Sequence, residues 1–247
     1  MNLDFYYWSY QCPLNNGMLK LLADYQTKFK IRTFDISDKP DMAKAQRMFF
    51  PTLTVVNGRR YFSPIKRSFL EALCEGKLPH ETPYSPLLGK ELFTGKILPL
   101  TPANYHLVSG CTGWGGIENC EKKRSFLSRC GLDVCGFVTL DADGKLLGGA
   151  EFMPSCLVPY DIPKGPKTAF ITCVYLSDEK FDYKTVPLKE LEKYLGKCYD
   201  KVLVVSDKTG VFPNGDKEFF ERNGYSDDGV ISVEQGYCEL HLMSKEL

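Results

Sequence analysis

Lys201-Val202-Leu203-Val204-Val205-Ser206, followed by Glu218-Phe219-Phe220-Glu221-Arg222-Asn223-Gly224-Tyr225, is the stretch whose reading decides the fold. The first run is short, apolar and β-branched, the pattern of a buried strand. The second predicts a short helix that turns Phe219 and Phe220 inward and stops at Asn223-Gly224, residues that accept left-handed backbone. Upstream, Pro187 to Cys198 predicts a helix with Leu188, Leu191, Leu195 and Cys198 on one face, and Lys167 to Leu176 a long apolar strand. Gly136 to Leu140 and Lys145 to Phe152 flank the turn Asp141-Ala142-Asp143-Gly144 as a hairpin. Glu118 to Cys130 predicts a helix with Lys122, Lys123 and Arg124 on its wet side. Lys96 to Leu100 reads as a strand, and Thr101-Pro102 as a capped helix start. Downstream, Gly229 to Glu234 and Tyr237 to Met243 are two strands that meet near Gly236.

This order of elements over residues 92–247, with its strand–helix–"FFERNGY" ending, resembles the GNAT family of N-acetyltransferases. The resemblance implies a GNAT-like mixed α/β domain in which two neighbouring strands splay and admit the pantetheine arm of acetyl-CoA, the implied acyl donor. The matching residues are Cys173, Val174, Tyr175 and Leu176 on one strand and Ser206 on the other, with Phe220 in the helix behind them. The pyrophosphate is implied to sit on amides at the start of the next helix, here Lys184, Thr185 and Val186, because helix N-termini suit phosphate. The family's glycine-rich phosphate loop is missing, since no glycine stands between Gly165 and Gly196. An amine acceptor arrives protonated and needs a base, for which Glu151 at the end of the third strand is the candidate. The family's thiolate-protonating tyrosine is matched by Phe220, which leaves Tyr225 as the candidate acid. The implied chemistry is direct transfer of an acetyl group to a small-molecule amine or a peptide.

Residues 1–78 form a separate α/β pattern, in the order strand, helix (Pro13 to Lys28), strand (Lys30 to Asp35), helix, strand, a hairpin turn at Asn57-Gly58, strand, helix. Cys12 follows the first strand and precedes a helix, whose N-terminal charge favours a thiolate and lowers its pKa. Trp8-Ser9-Tyr10-Gln11-Cys12-Pro13 and Phe50-Pro51-Thr52 are similar to the Cys–Pro turn and proline loop of the thioredoxin and glutaredoxin superfamily. The resemblance implies an N-terminal thioredoxin-like domain. The resolving cysteine of a dithiol is replaced by Asn15, so only monothiol exchange fits Cys12. An alternative function follows: a thiol-recognition or monothiol redox module carrying a degenerate, non-catalytic ligand-binding domain. Residues 79–91, with Pro79, Pro83 and Pro86, read as a proline-rich linker between the two domains.

Bulk properties bound the rest. Lys and Arg number 31 against 31 Asp and Glu, a balance that argues against a nucleic-acid partner. No apolar run approaches the roughly 20 residues of a membrane helix, and Met1-Asn2-Leu3-Asp4 lacks the start of a signal peptide, so a cytoplasmic location is expected. The ten cysteines include no C-x-x-C, and with only three histidines no metal site is expected. Residues 109–135 concentrate glycine and cysteine around Trp114, reading as a loop with scattered thiols beside the acceptor site. The sequence sets neither the acceptor nor the oligomeric state.

Overall fold

A computed structural model describes the chain except for residues 94, 111–116 and 212–213. The tip of the glycine- and cysteine-rich segment, with Cys111 and Trp114, lies outside the described residues.

Residues 1–78 build a sheet of four strands in the order β2-β1-β3-β4. Strand β1 (Asn2–Tyr7) runs parallel to β2 (Lys30–Asp35) and antiparallel to β3 (Thr52–Val56), which turns at Asn57-Gly58 into β4 (Arg59–Tyr61). The turn places Asn57 at φ 47° and Gly58 at φ 89°, the left-handed pair such a tight hairpin requires. Helices α1 (Leu14–Ala23), α2 (Pro40–Ala45) and α3 (Arg67–Cys74) complete the unit. Leu14, Met18 and Leu22 of α1 pack with Leu3, Phe5, Leu70 and Leu73 into its own core.

The larger sheet has seven strands in the order β10-β11-β9-β8-β7-β6-β5. These are β5 (Lys96–Leu100), β6 (Gly136–Leu140), β7 (Leu146–Pro154), β8 (Thr168–Leu176), β9 (Lys201–Asp207), β10 (Ser226–Glu234) and β11 (Cys238–Glu246). Only β8 and β9 run parallel; every other neighbouring pair is antiparallel. Helix α4 (Ile117–Arg129) follows β5, α5 (Thr185–Leu195) joins β8 to β9, and α6 (Lys217–Arg222) follows β9. Strand alternation sends Ala150, Ile171, Val174, Val202 and Val204 to one face, where Leu188, Leu191, Phe219, Phe220 and Tyr225 cover them. The other face carries Val138, Phe170, Leu203 and Val205 and packs with Phe126 and Leu127 of α4.

The predicted helix after Thr101 is replaced by a 3-10 turn over Tyr105–Gly110. Asn104 takes over the local hydrogen bonds, accepting from Thr101 N at 2.7 Å and donating to Pro99 O at 2.9 Å, so the Thr101 side chain does not cap a helix. The predicted solvated run Lys122-Lys123-Arg124 is corrected at its centre. Lys123 turns into the core with 2% of its surface exposed.

The N-terminal unit lies against the α4 face of the large sheet. Trp8 meets Tyr160 and Phe126 edge-on at 5.2 and 6.3 Å, and Phe62 stacks on Tyr237 at 5.0 Å. Arg60 and Arg47 reach Glu234 at 3.1 Å on the rim. The proline-rich connection is held on both sides, with Glu81 accepting from Phe62 N at 2.8 Å and Tyr84 O from Val211 N at 2.8 Å. Among the described residues no helix is long and apolar enough to cross a membrane.

Candidate functional site

Parallel pairing between β8 and β9 covers only Thr168–Ile171 against Lys201–Val204. Beyond that point β8 stays with β7 as far as Leu176↔Gly148, and β9 stays with β11 as far as Asp207↔Leu240. The two strands therefore part, and the β8–β9 ladder does not extend along Cys173–Leu176. The segment after β9 lines the opposite edge: Asn214 donates its amide to Val205 O at 2.9 Å, and Asp207 N donates to Gly215 O at 3.3 Å. Ser206 Oγ and Asn214 Oδ1 are buried there without a hydrogen-bond partner. Buried polar atoms without partners are costly, and a pair of them beside a parted sheet suits a polar ligand.

Alternation divides the residues singled out from sequence between the two faces of the sheet. Cys173 and Tyr175 pack with the core shared with the N-terminal unit, while Val174 and Phe220 belong to the core under α5 and α6. Glu151 stands directly across from Cys173 in the β7–β8 register, next to a bulge between Glu151 and Phe152. A bulge of this kind re-aims a side chain. Its carboxylate pairs with Lys123 Nζ at 2.5 Å, both side chains nearly free of solvent contact at 4% and 3%. Gly149 makes room beside this pair, since a Cβ there would meet the Tyr175 hydroxyl at 2.6 Å.

Cys12 of the N-terminal unit comes to the same face as this pair. Pro51 O accepts from Trp8 N at 3.0 Å, which brings the Phe50-Pro51-Thr52 loop beside the Trp8–Cys12 turn. The Cys12 sulfur is within electrostatic reach of Lys123 and Glu151, and both Cys12 and Cys173 act on the Tyr160 phenol. The expected fall in the Cys12 pKa is corrected. Burial pushes it up, and this outweighs the Leu14 amide and the Lys123 charge that pull it down. Burial likewise holds the Tyr160 phenol well above the ordinary tyrosine range, with the two thiols adding to it.

Tyr225 is corrected as the candidate acid. It lies on the α5–α6 face, edge-on to Phe220 at 5.2 Å, with Lys245 over its ring at 5.4 Å. Its charged neighbour is Glu192, seven residues into α5 and so about 10 Å along the axis from Thr185. Glu151 is on the opposite face.

At the outer end of the gap, the amides of Lys184 and Thr185 are already engaged. Both donate to Asp182 Oδ1 at 2.9 Å, and Thr185 Oγ1 donates to Asp182 Oδ2 at 2.6 Å. Pro187 has no amide hydrogen, so Val186 alone keeps its N–H clear of the Asp182 carboxylate. Lys184 points inward. Its Nζ donates to Asn214 O at 2.6 Å, lies 4.9 Å from the Phe219 ring centre, and is pushed down by burial to a pKa of about 8.

Lys123, Tyr160, Asp182 and Asn214 escaped the sequence reading. For Lys123 a signal existed, because Cys120, Lys123, Phe126 and Leu127 recur at helical spacing on one inward stripe. Asp182-Tyr183-Lys184-Thr185 carries the Asx capping pattern three residues before a threonine. Nothing local marks Tyr160 or Asn214. Among the described residues no group of three or more His, Cys, Asp or Glu side chains is arranged to hold a metal ion.

No protein-family model and no curated protein matches the chain. Solved structures similar to it include N-acetyltransferases. One is a ribosomal-protein-alanine N-acetyltransferase from Brucella melitensis, 15% identical, covering 62% of this chain and 99% of its own, with a TM-score of 0.46. Another is the aminoglycoside 6'-N-acetyltransferase from Enterococcus faecium, 14% identical, covering 61% and 96%, with a TM-score of 0.44. A third is a GNAT-superfamily phosphinothricin acetyltransferase from Sinorhizobium meliloti in complex with AcCoA, 14% identical, covering 63% and 89%, with a TM-score of 0.44. The likeness is one of chain course, at identities that say nothing about individual residues.

Proposed function

We propose that the protein is an N-acyltransferase that moves an acyl group, acetyl in the simplest case, from a CoA-type thioester to an amine by direct transfer. The parting of β8 and β9 beyond Ile171 and Val204 carries this reading. It supplies edge backbone and two unpartnered polar atoms, Ser206 Oγ and Asn214 Oδ1, to an arm that itself carries amides. The arm runs along Cys173–Leu176, and its thioester emerges on the face where Glu151, Cys12 and Tyr160 meet. Glu151, fixed at one oxygen by Lys123, receives the acceptor ammonium at Oε1 and takes its proton. The freed nitrogen attacks the thioester carbonyl, the C–N bond forms, the C–S bond breaks, and the second proton the nitrogen sheds on becoming an amide replaces the one the departing thiolate takes. Tyr160, kept protonated by burial and within electrostatic reach of Cys12 and Cys173, is our candidate for the donor to that thiolate in place of Tyr225. The residues fit the arm of acetyl-CoA; the outer corner, as folded, does not offer its pyrophosphate the amides of Lys184 and Thr185.

We read residues 1–78 as a thioredoxin-like domain, 79–91 as its linker and 92–247 as the catalytic domain. The βα-β-α-ββα order and the contact of Pro51 with the Cys12 turn support this division. The N-terminal domain walls the acceptor chamber. Thiol exchange at Cys12 is opposed by the upward push on its pKa. Binding decides the main reading. Acetyl-CoA at about 100 times its Kd stabilises the native state by about 2.7 kcal/mol, which raises the melting temperature by several degrees. No shift at millimolar acetyl-CoA or pantetheine removes the proposal.

A further inference from the structure

The inner and outer ends of the gap disagree about the donor. The inner end suits a thioester arm. The outer end, where a nucleotide's phosphates require an anion site, is filled by the chain's own carboxylates. Asp182 takes the two leading amides of α5 and the Thr185 hydroxyl, and Asp216 takes Phe219 N of α6 at 2.6 Å. Both acids act on Lys184, the cation nearest the corner. That cation is 4% exposed and turned toward Asn214 O, away from any phosphate at the mouth. Asp178 and Glu179 add further negative charge to the β8–α5 connection, against Lys180. The Asp182 carboxylate is not a loose side chain. Its backbone is bridged to the connection before β5, with Asp182 N donating to Glu91 O at 2.8 Å and Phe93 N to Asp182 O at 3.3 Å. The helix dipole and its free donors, which make such a terminus attractive to phosphate, are therefore spent on an internal anion of the same charge.

We propose that the donor is recognised through its pantetheine arm alone, with Asp182 excluding the nucleotide end from the α5 terminus. This rests on the acyl-transfer reading of the gap. The substrate class is an S-acyl pantetheine without an engaged nucleotide, whether free or carried as phosphopantetheine on a carrier protein. Acetyl-CoA enters the site only by virtue of the same arm.

Calorimetric titration of the full chain with pantetheine, CoA, adenosine 3',5'-bisphosphate and a phosphopantetheinylated carrier protein tests this. Pantetheine and CoA are expected to bind within about threefold of each other, and the bisphosphate not at all, since a ratio near unity means the nucleotide adds almost no free energy. A carrier protein that binds more tightly than pantetheine assigns the carried form as the source; equal binding assigns the free form. Asp182→Asn keeps an oxygen for the cap and removes the charge. It is expected to tighten CoA about tenfold while leaving pantetheine unchanged. CoA binding more than about tenfold tighter than pantetheine in the unaltered protein overturns the proposal, as does binding of the bisphosphate alone. An unchanged CoA-to-pantetheine ratio in Asp182→Asn overturns the role of Asp182. If neither pantetheine nor CoA binds, the gap is not a thioester site and the acyl-transfer reading itself fails.

Discussion

Lys123 and Glu151 form an ion pair buried between α4 and the large sheet. Two charges almost without solvent contact are tolerable only together, because either one left alone keeps the full cost of desolvation. Lys123→Ala is expected to destabilise the protein by about 3–5 kcal/mol, read from the urea midpoint. Lys123→Met combined with Glu151→Leu is expected to recover most of that loss while abolishing transfer. A double variant as unstable as the single one contradicts the pairing. Lys184 gives a second measurement at this scale. Its pKa in the fold, about 8, lies below that of a free lysine. Between the two values the unfolded chain binds more protons, so stability rises with pH across that window. The stability of the wild type relative to Lys184→Met is therefore expected to climb by about 1.4 kcal/mol per pH unit from pH 8 toward 10. Urea titrations at each pH read this, and a flat difference places the ammonium in solvent.

At the scale of elements, the strands and most helices follow from periodicity, because each buries one side against a layer. The predicted strand at Lys30–Asp35 and hairpin partner at Gly136–Leu140 match the structure residue for residue. The first helix stops at Ala23, short of the predicted Lys28, as Asp24 to Phe29 tighten into turns. The α5 terminus was legible only in part. Sequence started the helix at Pro187, two residues late, and took the amides before it as free. The Asp182 side chain that occupies them belongs to the loop before it. Asp182→Ala is expected to cost about 1–2 kcal/mol as a lost cap. Faster amide exchange confined to the first turn of α5 checks the assignment. Uniformly faster exchange over the whole helix speaks for a wider defect.

At the scale of the molecule, the two sheets share one aromatic seam, and the site lies on it. Trp8 is 1% exposed and reaches Tyr160 and Phe126 across the seam. The units are expected to unfold in one transition, and Trp8→Ala to lower stability by about 3–5 kcal/mol and split that transition in two, as seen by circular dichroism against urea. A single transition that merely shifts shows that the rim contacts of Arg60 and Glu234 suffice to couple the units.

Local pattern fixed much here without any neighbour being known. Alternation and helical spacing are properties of adjacent residues, so the order of elements, the strand containing Cys173, the turn at Asn57-Gly58 and the stop at Asn223-Gly224 were all readable along the chain. What a side chain meets across the fold was not. Cys12 and Glu151 stand 139 positions apart and come within electrostatic reach because the N-terminal unit packs on the large sheet. Lys123 is buried because Glu151 faces it, and the Cys12 pKa is pushed up because that packing desolvates the thiol. Tyr225 and Glu151 are separated because alternation put them on opposite sides of one sheet. Burial and long-range pairing set charge state and proximity, and those are quantities of the packed molecule.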